Sequence, residues 1–204
     1  MTPPERVMRR YGILSLIAIG LAAVLSWPVT ARSAAAASFV LSERDRQEAI
    51  LTGKRSVVRD DFGGEWRQKN PAGETLEVMT PFHRLALAAR NAAFKNEDLK
   101  PKDIDSAVKE SANKLTVWVT LRGPRSDFAR FYTPALRDGP NEIRPSFVQN
   151  ERTAMRGEDG GYAARCLYVF PAEALTPRGR YTLVVRDADE KDVSTFTVDL
   201  SAMR

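Results

Sequence analysis

The apolar residues of this chain change their period at Lys114, and that switch narrows the folds open to it more than any motif does. Upstream, Phe82, Leu85, Ala86, Ala89 and Ala93 recur at helical spacing. They follow Thr80-Pro81, a capping hydroxyl and then a proline at the one helical position that needs no N–H donor. Asn96 is the expected stop. After Lys100-Pro101, Ile104, Ala107, Val108 and Ser111 fall on one face and Lys102, Asp103, Lys109 and Glu110 on the other, so a second helix is predicted. The two helices should pack as a hairpin. Downstream of Lys114, Leu115, Val117, Val119 and Leu121 alternate with Thr116, Trp118, Thr120 and Arg122, the two-residue period of a strand with one buried face.

The flanking sequence extends both themes. Ser42 and Asp45, followed by Glu48-Ala49-Ile50-Leu51 and Gly53, predict a short capped helix with the glycine as its stop. Val57-Val58, Trp66 and Leu76-Glu77-Val78 are separated by Gly63-Gly64 and Asn70-Pro71-Ala72-Gly73, a spacing of short strands and turns. Residues 123–145 read as a long loop pinned by Phe128, Phe131 and Tyr132. A hairpin is expected from residues 146–155 and 162–170 around Gly157 to Gly161, and another from residues 181–185 and 193–198 around an acidic turn. About seven short strands with an inserted helical pair predict an α+β chain built mainly as an antiparallel β-sandwich. Residues 38–204 form one domain in this reading, with helices and short strands over 38–112 and β-rich sequence over 113–204.

Leu175-Thr176-Pro177-Arg178-Gly179-Arg180-Tyr181-Thr182-Leu183 resembles the turn and strand entry that carry the tyrosine corner in immunoglobulin-like and fibronectin type III modules. The resemblance covers the C-terminal strands and implies an immunoglobulin-like sandwich. The core tryptophan and paired cysteines of that pattern are not matched, because Trp118 falls on the predicted outer face and Cys166 is the only cysteine. That fold hosts adhesins, chaperones, carbohydrate binders and enzyme accessories, so it implies no activity.

The N-terminus has the form of an export signal: Arg6, Arg9 and Arg10, then an apolar core from Ile13 to Leu25, broken by Trp27-Pro28. Two small-x-small sites follow, Val29-Thr30-Ala31 and Ala35-Ala36-Ala37. A signal helix over residues 1–37, cleaved after Ala37, is the expectation, with the product periplasmic or extracellular. The alternative is an uncleaved anchor over residues 11–27, a run at the short end of the roughly 17 to 25 residues that span a bilayer. Removing residues 1–37 takes four arginines and one glutamate from a chain of net charge +5, leaving 27 basic against 25 acidic residues. A balance of +2 leaves no basic footprint for nucleic acid. Cys166 has no internal partner for a disulfide, and its strand-like neighbours make it a packing residue.

Catalytic signatures are sparse. His83 is the only histidine, which rules out sites needing two imidazole ligands, and it reads as a half-exposed residue on the helix face away from Phe82. Asp187, Asp189 and Asp192 resemble the start of a calcium loop, but Lys191 stands where the next alternate ligand belongs, so a solvated turn is expected and no metal. Gly157 to Gly161 contains Glu158 and Asp159 and lacks the ending of a phosphate loop, so it too is a turn and no cofactor is expected. The strongest surface signal is Arg130, Phe131, Tyr132, Arg137 and Arg144, since arginine and aromatics dominate recognition hot spots. The sequence therefore predicts a non-catalytic binding or assembly module of the cell envelope whose partner is another envelope protein. The alternative is an exported carboxylate-dependent hydrolase with a cleft between helices and sheet, lined by Glu65, Trp66 and Trp118.

Overall fold

The computed structural model describes residues 37–204; residues 1–36, which hold nearly all of the export signal and the apolar run 11–27, lie outside the described part. No helix among the described residues is long and apolar enough to cross a membrane. The chain runs through α1 (Glu43–Arg55), β1 (Arg67–Lys69), β2 (Thr75–Met79), α2 (Pro81–Phe94), α3 (Pro101–Ser111), β3 (Lys114–Gly123), β4 (Thr133–Asp138) and β5 (Asn141–Ile143). It continues through β6 (Phe147–Gln149), β7 (Met155–Arg156), β8 (Tyr162–Pro171), β9 (Arg180–Arg186) and β10 (Asp192–Asp199). All pairings are antiparallel. One sheet is ordered β1-β2-β3-β8-β6, with β7 also paired to β8, and the other β10-β9-β4-β5.

Alternation sets the core. Leu115, Val117, Val119 and Leu121 on β3 are fully buried and lie opposite Phe170, Tyr168, Cys166 and Ala164 on β8. Leu136, Leu183, Val185, Phe196 and Val198 supply the facing layer from the second sheet. Each large side chain so buried contributes about 1.5–3 kcal/mol, which makes this layer the principal source of stability. Trp118 lies on the outer face as expected, under the Arg165 guanidinium at 4.3 Å. Burial pushes the Cys166 thiol up, so it behaves as a small apolar residue. The two sheets are also joined by Glu74, a buried carboxylate that accepts from Asn70 Nδ2 (2.7 Å), Ser194 Oγ (2.5 Å) and the Arg122 N–H (3.0 Å).

The tyrosine corner forms. Tyr181 is buried, its hydroxyl accepts the Thr176 N–H at 2.7 Å, and its ring covers Gly179 so closely that a Cβ there would meet it at 2.5 Å. The fold is thus an α+β antiparallel sandwich of immunoglobulin-like form.

The N-terminal half departs from the sequence reading in its helices and in its expected short strands. α1, capped by Ser42 and Asp45 in a reciprocal box, does not stop at Gly53 but runs on to Arg55. Gly53 is where α1 meets α2, and a Cβ there would sit 2.1 Å from the Ala86 carbonyl oxygen, so the glycine serves close approach rather than termination. The helical layer is consequently three helices, with α1 as well as α3 packed on α2. The α2 stop matches expectation: Asn96 takes φ 56° and the Glu97 and Asn96 N–H groups return to the Ala92 and Ala93 carbonyls. Val57-Val58 is not a strand but a turn with Val58 exposed, and Trp66 closes a 3-10 turn, Gly64–Trp66, instead of lying in a strand.

The largest correction concerns residues 123–145. They are not one long loop, because β4 and β5 form a hairpin there that completes the second sheet. Pro134 is tolerated in β4 because β5 pairs only with residues 136–138, so the missing N–H faces no partner strand. Strand β6, a short break and β7 then replace the continuous first arm expected of the next hairpin.

Candidate functional site

The arginine and aromatic residues lie where the edge of each sheet meets the segment joining β3 to β4, and that segment is fixed from beneath. The Phe128 ring rests on Gly123, where a Cβ would come within 2.3 Å of it, and Tyr132 meets Phe128 edge-on at a centroid distance of 5.7 Å. Tyr168 donates from the core to Asn150 Oδ1 at 3.2 Å, and Asn150 Nδ2 donates to the Tyr132 carbonyl at 2.7 Å. Burial pushes the Tyr168 phenol far up, so it remains a neutral donor. Ala154 N–H closes the ring of contacts on the Ser126 carbonyl at 2.6 Å.

Two shallow depressions open on this frame. Arg130, Phe131 and Arg152 line one of about 450 Å³, and Tyr132, Arg144 and Arg186 line another of about 490 Å³. Val148 of the edge strand β6 lines both. Phe131 is 68% and Val148 41% exposed, so each presents apolar surface to solvent. Among the described residues, no carboxylate lies within ion-pair distance of Arg130, Arg144 or Arg152. Four of the five residues singled out from sequence are therefore gathered here, as Arg130 with Phe131 and Tyr132 with Arg144.

Arg137 stands apart. It projects from β4 into a network that takes one residue from each strand of its sheet, pairing with Glu142 at 3.1 Å and Asp192 at 3.0 Å, while Arg186 pairs with the same two carboxylates. Arg186 and Arg137 hold the Glu142 carboxyl well below its ordinary value, at about 2. Val184 and Ala135, on the same face of the sheet by alternation, are buried there. Asp192 is thereby committed to arginines, and Asp187 accepts the Asp189 and Lys191 N–H groups. Val148 and Arg152 were missed in the sequence; the signal available was an apolar residue and a cation flanking a strand too short to bury either.

The residues gathered for a hydrolase cleft do not line one. Trp66 is buried and donates from Nε1 to the Arg204 carbonyl at 2.9 Å, Glu65 pairs with the Arg204 guanidinium at 3.0 Å, and Trp118 lies on the far sheet face. His83 is not half-exposed but fully buried, stacked on Trp66 with ring centroids 4.1 Å apart. Its Nδ1 lies 3.0 Å from the Val78 carbonyl, which fixes Nδ1 as the protonated donor, and Nε2 has no hydrogen-bond partner among the described residues. Burial lowers its pKa, against smaller opposing effects of the Val78 carbonyl and of Glu77, whose Oε1 is 3.8 Å from Nε2.

No family model matches the chain, and no curated protein matches it. Among solved structures, the fold is similar to IgNAR antibody domain C3, at 14% identity over 65% of this chain and 96% of that one, with a TM-score of 0.33. It is also similar to IgNAR antibody domain C1, at 9% identity over 43% of this chain and 76% of that one, with a TM-score of 0.29. The likeness is to the immunoglobulin-like sandwich and is weak.

Proposed function

We propose that this chain is an exported, non-catalytic binding module that engages another protein of the cell envelope through the surface around Phe131 and Val148. One observation carries the reading. Exposed apolar side chains sit among arginines that have no ion-pair partner among the described residues, on a segment held by the Phe128, Asn150 and Tyr168 contacts. Aromatic and arginine side chains on a pre-organised surface lose little entropy on association, which is the composition of a recognition hot spot. Export is supported by the arginine flank, apolar core and small-residue sites of residues 1–37.

The test is co-purification of cross-linked partners from the source cell with the wild-type chain and with the double variant Phe131→Ser, Val148→Ser. Both positions are exposed, so the variant should keep the wild-type urea midpoint while losing its specific cross-linked partner. Retention of every partner by a folded double variant would overturn the assignment of this surface.

A further inference from the structure

We infer that the two depressions receive an extended acidic segment of the partner, its carboxylates against Arg130, Arg144 and Arg152 and its apolar side chains against Phe131 and Val148. The inference rests on the binding-module reading and adds the chemistry of what is bound. Charge is the first ground. The three arginines are exposed and have no ion-pair partner among the described residues, whereas Glu142 beside them is already held by Arg137 and Arg186. Glu190 alone adds an uncommitted negative charge to the second depression, so the surface carries an excess of cations that an anionic occupant would balance. Residues 1–36, with four arginines and one glutamate, have the wrong sign to fill it.

Shape is the second ground. The depressions adjoin along Val148, so a segment crossing from one to the other runs past β6, the last strand of its sheet. An extended chain there can place alternate side chains toward the arginines and the apolar residues and can bond the free edge of the strand. A lipid bilayer offers anionic charge as well, but it is flat where this surface is concave. Arginines beside an edge strand also deter edge-to-edge aggregation, for which a charge of either sign suffices. Binding of an acidic segment requires the positive sign.

The probe is a fluorescein-labelled peptide of about a dozen residues alternating glutamate with valine or phenylalanine, long enough when extended to cross both depressions. Its lysine counterpart and vesicles containing phosphatidylglycerol serve as comparisons. Wild-type protein should raise the anisotropy of the acidic peptide saturably and leave the lysine peptide and the vesicles unbound. Salt should weaken the binding, since the charges are exposed. Arg130→Glu with Arg144→Glu and Arg152→Glu should weaken it about tenfold or more while the protein stays folded, and Phe131→Ser with Val148→Ser should do likewise. Binding of vesicles in place of peptide, equal binding of the lysine peptide, undiminished binding by the charge-reversed variant, or self-association through this face would each overturn the inference. No binding of the acidic peptide overturns it too, and the cross-linked partner then locates the failure. A partner lost with Phe131 and Val148 but kept by the charge-reversed variant removes only the acidic chemistry. A partner kept by both variants removes the binding surface itself.

Discussion

Gly53 shows how a single residue reverses an expectation drawn from local propensity. Replacing a glycine inside a helix by alanine ordinarily stabilises by about 0.5–1 kcal/mol. At this position the new Cβ would meet the Ala86 carbonyl oxygen at 2.1 Å and the Ala89 Cβ at 2.8 Å, both on α2. Gly53→Ala should therefore destabilise by about 1–3 kcal/mol, the cost of overpacking, read as a lower urea midpoint. His83 gives a residue-scale prediction in pH. Its folded pKa lies below its unfolded one, chiefly through burial, so the unfolded state takes up the proton more readily. Stability is then complete above the unfolded histidine value of about 6.5 and is lost as pH falls from there toward the folded value. Since the chain has one histidine, the fall in urea midpoint between about pH 7.5 and pH 5.5 should be largely absent in His83→Phe, which keeps an aromatic ring against Trp66. A wild-type midpoint flat across that interval would refute the assignment. Neither residue was legible in the sequence, because what decides each is a neighbour from another element: α2 for Gly53, and Trp66 with Val78 for His83.

At the scale of elements, legibility followed period and cap chemistry. β3, β8 and β10 alternate, β9 is a β-branched run, and α1, α2 and α3 carry their caps or N-terminal prolines in the sequence, so all were readable. β4 and β5 were not, since Pro134 interrupts the pattern and β5 is only three exposed or half-buried residues, too short to show a period. Asp138-Gly139 was the overlooked cue: Gly139 takes φ 56° as the first residue of a two-residue turn, the glycine position of a hairpin with primed geometry. The tyrosine corner was legible because its residues are local, five positions from the accepting hydroxyl of Tyr181 to the Thr176 N–H. Tyr181→Phe leaves the ring over Gly179 but removes the oxygen that accepts the partly buried Thr176 N–H. Loss of that partly buried hydrogen bond costs about 0.5–1.5 kcal/mol, so the variant should unfold at lower urea with an unchanged slope. An unchanged midpoint would make the corner a passive feature of packing.

For the whole molecule, the sandwich could be anticipated from sequence, whereas the grouping of Arg130, Phe131, Tyr132 and Arg144 around Val148 depends on where two sheet edges meet. The same global packing bears on how the chain is processed if it is exported. Ala37 is fully buried and its N–H donates to the Leu200 carbonyl at 3.1 Å, so the residue expected to end the signal is built into the folded domain. Cutting after Ala37 would remove that hydrogen bond, worth about 0.5–1.5 kcal/mol, and set the charged amino group of Ser38 beside the buried Phe39. Cutting after Ala31, at Val29-Thr30-Ala31, satisfies the same small-residue requirement and keeps Ala37 within an amide chain. The mature protein is accordingly expected to begin Arg32-Ser33-Ala34, and a chain engineered to start at Ser38 should have a lower urea midpoint than one starting at Arg32. N-terminal sequencing of protein recovered outside the cytoplasm checks the cut, where a start at Ser38 would refute it and an intact Met1 would favour the tethered form over the cleaved one.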